Sequence, residues 1–598
     1  MQQSRSVPDW MIILNRIRVP KCANASAASR LNFLQYETIL LKRTSAERNT
    51  HHRLKNSSSS RNWGLPMSDS RSLCSLLLAA FLAMPSFVVF ASEDYPQQQF
   101  VANISASMPE WRPHRAYNAD EAQILSAVYE GLFVYDPYNL DPVPALAESW
   151  TVSSDGLIWT FQIRKDAAFS NGDPITAAIF RDSWMNLLAP SQAAPYASLL
   201  DDIEGARAFR TGTQADPSTV GISAAAEYTL QIRLVAPAEH LPKILCHHSF
   251  SAVHASDLAR TEGSRPDARY RPVSSGPFIV ASISDSEILL EKNTAYWDAQ
   301  QVHIPSIRLL VTDNADDLTR GFNRGEIHWL AGASKIDQVL DATAVHITPM
   351  FATEYFFFRT TWGAGADSAV RKALLLSVPW EELRNSYLIP ATTLVFPIAG
   401  YPEIEGIENS DIPQAKKMIE AWKADHKDAS TELVISIPES ENYTALAGIL
   451  KSVWEELGFT VAVRTTPYSR YYNSLRTDDY TIGITSWIGD FADPLTFLEM
   501  FRPDSSLNDS GWSNSEYERM IREASAKKLS KDRYAKLAEA EKLLLDEGVI
   551  LPVAHNPSLN VLDMDGIAGW YPNALDIHPF KFVRFTQKKP LPGVALLH

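Results

Sequence analysis

Cysteine is almost missing from this sequence. Three occur in 598 residues, Cys22, Cys74 and Cys246, and the first two precede residue 91, ahead of an expected processing point. A chain that keeps Cys246 alone has no internal disulfide framework, so its stability rests on its apolar core. An excess of basic charge is also missing: 55 Lys and Arg stand against 70 Asp and Glu, a formal net charge of -15. That balance leaves no basic footprint for a phosphate backbone and excludes nucleic acid as a partner. Beyond residue 91 no apolar run reaches the length of a membrane span.

Enzyme signatures are absent too. The sequence holds no Gly-x-Ser-x-Gly elbow, His-Glu-x-x-His helix or phosphate loop. Asp490 and Asp493 imitate a glycosidase dyad, but that chemistry needs carboxylates on opposite sides of a bond, which one short loop does not supply. Cys246-His247-His248 sets soft and imidazole ligands side by side. Adjacent residues rarely face one ion, and no further His or Cys stands at a zinc-like spacing. The expectation is therefore a protein without catalytic residues, metal or cofactor.

What is present begins with a compositional break. Residues 1–66 are basic and rich in Ser and Asn, as in Asn56-Ser57-Ser58-Ser59-Ser60, and are assigned no fold. From Met67 a different pattern starts: Arg71, a mostly apolar run from Leu73 to Phe90, then Ala91 and the polar Ser92-Glu93-Asp94. Charged start, apolar middle and small final residue are the parts of a secretory signal peptide, expected over 67–91 with cleavage after Ala91. Pro85-Ser86 interrupts the run and argues against a membrane anchor, and Cys74 sits at the start of the run, whereas a lipid-anchoring cysteine would have to follow it. A soluble protein outside the cytoplasm is expected.

The rest of the chain is long enough for two or three domains. Ile124, Leu125, Val128 and Leu132 fall on one face of a helix expected over 121–132. Asp155-Gly156 lies between two alternating segments, Trp150-Thr151-Val152 and Trp159 to Ile163, and marks a hairpin. The turn Ser170-Asn171-Gly172-Asp173-Pro174 leads through Thr176, a candidate cap, into a helix with Phe180 and Trp184. Thr431 to Arg464 reads as a βαβ unit, with Leu446, Ile449, Leu450, Val453, Trp454 and Leu457 on one helix face and Gly458 ending the helix. Such a unit implies a partly parallel sheet covered by helices, hence an α/β fold. The first half is richer in hairpins, and there is no internal repeat.

Ala147-Glu148-Ser149-Trp150, Asp155-Gly156, Thr160-Phe161, Arg164, Phe169, Asn171-Gly172 and Thr176-Ala177 together resemble the signature of the extracellular solute-binding proteins (family 5) of peptide-type ABC importers. Ser275-Gly276-Pro277-Phe278, Leu290-Glu291-Lys292-Asn293 with Tyr296-Trp297, Val370-Arg371-Lys372-Ala373-Leu374, Asn514-Ser515-Glu516-Tyr517 and Leu551-Pro552-Val553 follow in the family's order. Gly325-Glu326-Ile327-His328 departs from it, with His328 where Asp is usual. The resemblance covers about residues 98–585. It implies a two-lobed periplasmic binding-protein fold with a hinge and an extra subdomain on lobe I. Lobe I would take residues 92–138, 258–350 and 556–598, the subdomain 139–257, and lobe II 351–555. A monomeric receptor is implied, closing on its solute and delivering it to an inner-membrane ABC permease with its ATPase subunits.

Within this frame Thr485-Ser486-Trp487-Ile488-Gly489-Asp490-Phe491-Ala492-Asp493-Pro494 is the candidate site, read as the loop that follows the strand Tyr480 to Ile484. Trp487-Ile488-Gly489-Asp490 with Pro494 resembles the Trp-x-x-Asp and trailing Pro of oligopeptide-binding proteins. There the Asp receives the peptide's α-ammonium, which assigns that role here to Asp490. Ser486, Trp487, Gly489 and Phe491 would form its surroundings, and Arg476, with Tyr471 and Tyr472, a further part of the wall. One departure matters: the Arg that oligopeptide binders of the enteric type place three residues before the Trp, where it helps neutralise a short peptide's C-terminal carboxylate, is Ile484 here. A peptide ligand is expected, with a nickel chelate, a sugar or another small solute on the same fold as the alternative, and a periplasmic hydrolase as a third.

Overall fold

The computed structural model describes residues 99–104, 109–260, 271–527 and 529–586. The expected leader and signal peptide, residues 1–91, lie outside the described residues.

In chain order, β1 (Gln99–Ile104) is followed by α1 (Ala119–Val128). The carboxylate of Glu121 accepts the backbone N–H groups of Tyr117 and Asn118 at 3.0 Å each, which fixes the start of α1. The helix ends at Val128, short of the expected Leu132. Glu130 is drawn instead into a buried network, where it accepts the Tyr296 hydroxyl and, at 2.6 Å, the Trp297 indole N–H. These tertiary partners outweigh helical periodicity.

The expected hairpin is β2 (Ala147–Val152) and β3 (Ile158–Ile163), joined with β4 (Ile222–Ala226) and β5 (Thr229–Arg233) in an antiparallel sheet of order β2-β3-β5-β4. Its inner face carries Trp159, Phe161, Ile163, Leu230 and Ile232, all buried. They pack in one core with α2 (Ala177–Leu188), which buries Phe180, Trp184, Leu187 and Leu188. Thr176 does occupy the N-cap position of α2, but its hydroxyl makes no capping bond. A short helix, α3 (Ala206–Arg210), lies between β3 and β4 in sequence.

The chain then builds β6 (Phe278–Ile283), β7 (Glu287–Lys292), β8 (Ser306–Val311), β9 (Trp329–Ala331) and β10 (Val345–Pro349). It crosses at Met350-Phe351 into β11 (Ala352–Phe358), the first strand of another sheet. That sheet gains β12 (Glu432–Pro438), α4 (Glu441–Glu456), β13 (Thr460–Thr466), α5 (Tyr468–Thr477), β14 (Ile482–Ile488), α6 (Ser515–Ser525), α7 (Ser530–Asp546) and β15 (Ile550–Ala554). A second crossing at His555-Asn556 returns to β16 (Pro557–Leu562). The first lobe's sheet has the order β10-β16-β9-β1-β8-β7-β6 and the second's β13-β12-β14-β11-β15.

The βαβ expectation holds: β12 and β13 pair in parallel around α4, whose Leu446, Leu450 and Trp454 are buried. Gly458 ends that helix region at φ +81°, a left-handed conformation that only glycine adopts without strain. Every residue of β11 is buried, as expected of a strand covered on both faces. One core fills the first lobe around Phe100, Trp111 and Trp329. A second runs from the four-stranded sheet into the second lobe and includes Leu199, Leu200, Phe497 and Phe501. The seam between those two parts is therefore shut in this structure.

Candidate functional site

The carboxyl ends of β12 and β14 point to the same edge of the second sheet, because the two strands are parallel. Both crossings reach that edge: Ala352 pairs with Ile488, and Glu354 with Ala554. Ligands of open α/β sheets bind beyond the carboxyl ends of strands. The candidate motif lies here, with one revision to its local structure. Thr485 to Ile488 are not loop but the last residues of β14, held in register with Ala352–Tyr355. The loop begins at Gly489.

Gly489 donates its N–H to the Phe351 carbonyl at 2.8 Å. A Cβ at this position would stand 2.5 Å from the Phe351 ring and 2.9 Å from Thr496 Cγ2, so only glycine fits. Asp490 follows, anchored by its main chain. Its N–H reaches Thr496 Oγ1 at 2.9 Å, and its carbonyl accepts the Tyr135 hydroxyl at 2.7 Å. Its side chain is 12% exposed and faces neutral donors. Thr496 Oγ1 donates to Oδ2 at 3.2 Å, the Tyr196 hydroxyl bonds the carboxylate, and His247 Nε2 lies 3.6 Å from Oδ1. Burial pushes the Asp490 carboxyl up to about 7, with the hydrogen bonds opposing it.

His247 has a defined tautomer. Its Nδ1 accepts the Ser249 N–H at 3.4 Å, which leaves the ring hydrogen on Nε2, facing Asp490. Burial drives its pKa down to about 3, and that of the adjacent His248 well below the ordinary value. Tyr196 packs edge-on to His247 at 4.3 Å, and the two imidazoles lie 4.1 Å apart. Among the described residues no group of three or more His, Cys, Asp or Glu side chains is placed to hold a metal ion.

The other expected site residues are distributed as follows. The indole N–H of Trp487 is buried with no hydrogen-bond partner among the described residues. Ser486 Oγ accepts from Asn556 Nδ2 at 3.2 Å, beside the crossing, and Asn556 also reaches Glu354 at 3.4 Å. Glu354 is buried, accepts the Tyr387 and Tyr443 hydroxyls, and has no ion-pair partner among the described residues. Phe491 is fully buried and belongs to the core beneath Asp490. Arg476 is half-exposed; its guanidinium carbon is 6.0 Å from the Tyr117 ring centre and its Nε 3.7 Å from Asp509. Tyr472 meets the same Tyr117 edge-on at 6.3 Å. Ile484 is buried, and the hydroxyl of Tyr471 bridges its N–H and carbonyl.

Asp493 is locked against Arg533 at 2.5 Å, and its other oxygen accepts the Leu495 N–H at 3.0 Å. It fixes the turn after Asp490 and is not free to act with it as a second carboxylate. The residues that sequence reasoning did not connect to the site are Tyr135, Tyr196 and His247. Cys246-His247-His248 stood out by its chemistry, but nothing local to it indicates that His247 faces Asp490.

Comparison with known proteins places this architecture. The model of Bacterial extracellular solute-binding proteins, family 5 Middle, matches residues 141–509. The oligopeptide-binding protein OppA of Bacillus subtilis is 26% identical over 472 residues, 75% of this chain and 86% of the relative. The probable deoxycholate-binding periplasmic protein YgiS of Escherichia coli is 26% identical over 491 residues, 78% of this chain and 90% of the relative. A solved structure of the Escherichia coli murein tripeptide binding protein MppA superposes with a TM-score of 0.73 at 24% identity, covering 82% of this chain and 99% of that one. The unliganded open form of MppA, at 24% identity and covering 82% of this chain and 98% of that one, gives 0.56. The fold is thus the two-lobed periplasmic binding-protein fold, and the chain belongs to the bacterial extracellular solute-binding proteins, family 5.

Proposed function

We propose that this protein is an extracytoplasmic receptor for peptides with a free amino terminus, performing no chemistry on them and handing them to an inner-membrane ABC permease with its ATPase subunits. The observation that carries the reading is the state of Asp490: a nearly buried carboxylate at the carboxyl edge of β14, ringed by Thr496, Tyr196 and His247, none of them cationic at neutral pH. An ammonium brought here in a water-poor seam interacts far more strongly than it would in bulk water. The indole N–H of Trp487, without a partner among the described residues, adds a donor for a ligand carbonyl. Ser486 and Gly489 shape the wall, Phe491 supports it from the core beneath instead of facing the ligand, and Arg476 takes part from α5.

In this reading residues 92–138, 258–350 and 556–598 form lobe I, 139–257 the subdomain that follows it, and 351–555 lobe II. Export depends on the segment 67–91, cleaved after Ala91, and the receptor acts as a monomer. A second reading has a specific motive: Ile484 is apolar and buried where oligopeptide binders of the enteric type place Arg, so a carboxylate partner is missing at that position. A non-peptide solute fits that feature too. Calorimetry with pooled di- to pentapeptides separates the two. Heat with peptides that disappears on Asp490→Ala supports the first; no heat with any peptide, together with a non-peptide molecule copurifying in the mass spectrum, overturns it.

A further inference from the structure

The shut seam also carries a group of charges that does not include any residue touching Asp490. From the four-stranded-sheet side come Asp201 and, on α3, Arg207 and Arg210; from the second lobe come Glu499, Arg502, Asp504 and, on α6, Glu518. Five contacts between these residues cross the seam. Arg207 Nε meets Asp504 Oδ2 at 2.6 Å and its Nη2 meets Glu518 Oε2 at 2.9 Å. Arg210 reaches the Asp504 carbonyl at 2.7 Å and its Oδ2 at 3.1 Å. Arg502 Nη2 reaches Asp201 Oδ2 at 2.8 Å. A cavity of about 790 Å³ opens beside them, lined by Asp201, Arg207, Arg502 and Asp504 among others.

Each side is also paired within itself. Arg210 grips Asp201 with two bonds, 2.6 and 2.7 Å, both partners on the same side. Arg502 keeps Glu499 at 3.3 Å and Asp504 at 3.7 Å, all three in the second lobe. Glu518 has Arg522, one turn along α6, at 3.4 Å. Only Arg207 depends wholly on the other side for its carboxylates, and it is the most exposed of the three arginines, at 37% of its side chain. A buried ion normally resists separation because its partner is left uncompensated. Here separation leaves every buried charge with a partner and returns Arg207 to water.

We propose that this cluster is a reversible latch: it favours the closed arrangement before any ligand is bound, and so sets apparent ligand affinity from outside the ligand's own contacts. Affinity scales with the fraction of molecules in the binding-competent state. Arg207 is the positioning residue to test, since both ion pairs of its guanidinium are made across the seam. The latch does not depend on which solute the cleft takes, so its test is independent of the peptide reading.

Small-angle X-ray scattering of the full chain, without ligand, compares the natural protein with Arg207→Glu, which sets a carboxylate against Asp504 and Glu518. The expected result is a larger radius of gyration for the variant at an unchanged melting temperature. If the closed fraction falls from about one half to about one twentieth, affinity for pooled short peptides weakens about tenfold. Should Arg207→Glu fail to fold, the neutral Arg207→Gln gives the same comparison with a smaller shift. Identical scattering from the natural protein and the folded variant overturns the latch. Altered scattering with no peptide binding by either protein leaves the latch standing and overturns the peptide reading instead.

Discussion

Nε2 of His247 stands 3.6 Å from Oδ1 of Asp490, although the two residues belong to different parts of the molecule and meet only across the shut seam. The imidazole is neutral and the Ser249 N–H fixes its tautomer, so it offers Asp490 a hydrogen and no charge. In the proposed reading the cation for this carboxylate comes with the ligand. Asp490→Ala is expected to weaken peptide binding by roughly 2–5 kcal/mol, the usual cost of removing one partner of a buried charge pair. Calorimetry reads the loss, and the thermal midpoint should stay near that of the natural protein, since the carboxyl is already disfavoured by burial. Unchanged affinity would remove Asp490 from the site.

Binding should release a proton below neutrality. The carboxyl of Asp490 sits at about 7 in the closed form. A carboxyl raised in this way favours the closed form while protonated, and that contribution is lost as pH rises through about 7. An ammonium favours the ionised form, so it lowers the pKa and expels the proton. Affinity is then highest above pH 7 and falls by about fivefold between pH 7 and 6, since the fraction ionised drops from about a half to about a tenth. Titrations at pH 6 in two buffers of different ionisation enthalpy measure the proton directly; equal heats in both would contradict the assignment. His247, pushed to about 3, contributes nothing over this range.

Gly489→Ala tests whether the turn before Asp490 is a packing constraint. The added methyl would meet the Phe351 ring at 2.5 Å. Overpacking of this kind costs about 1–3 kcal/mol and displaces whatever the backbone carries. A lowered thermal midpoint together with weaker ligand binding is expected. A stable variant with full affinity would show that Phe351 moves aside freely.

Much of this architecture was legible in the chain. The Asp155-Gly156 hairpin and the βαβ unit around α4 rest on turn chemistry and periodicity, which act within a few residues of one another. The motif Trp487 to Asp490 lies at the carboxyl edge of the second sheet. Thr485 and Ser486 carry no local strand signal, and pairing with Glu354 and Tyr355, distant in sequence, holds them in β14. Tyr196 and His247 were out of reach for a different reason: their meeting with Asp490 depends on how the two sides of the seam close, and no local pattern encodes it.

Ile484→Arg introduces, at the level of sequence, the arginine that the resemblance to enteric-type oligopeptide binders leads one to expect three residues before the Trp. The structure predicts that it will not restore a carboxylate site. Ile484 is 1% exposed, and Tyr471 pins its backbone through both the N–H and the carbonyl, so the side chain has no easy route to solvent. Burying an unpaired guanidinium costs several kcal/mol, and the relevant neighbour, Phe356, opposite it on β11, is itself fully buried and offers no acceptor. The expected outcome is a marked drop in thermal midpoint with no gain in affinity for peptides over their C-terminal amides. A variant that folds normally and newly prefers free carboxylates would mean that this strand end rearranges on binding, and that the ligand's carboxyl end lies beside β14 after all.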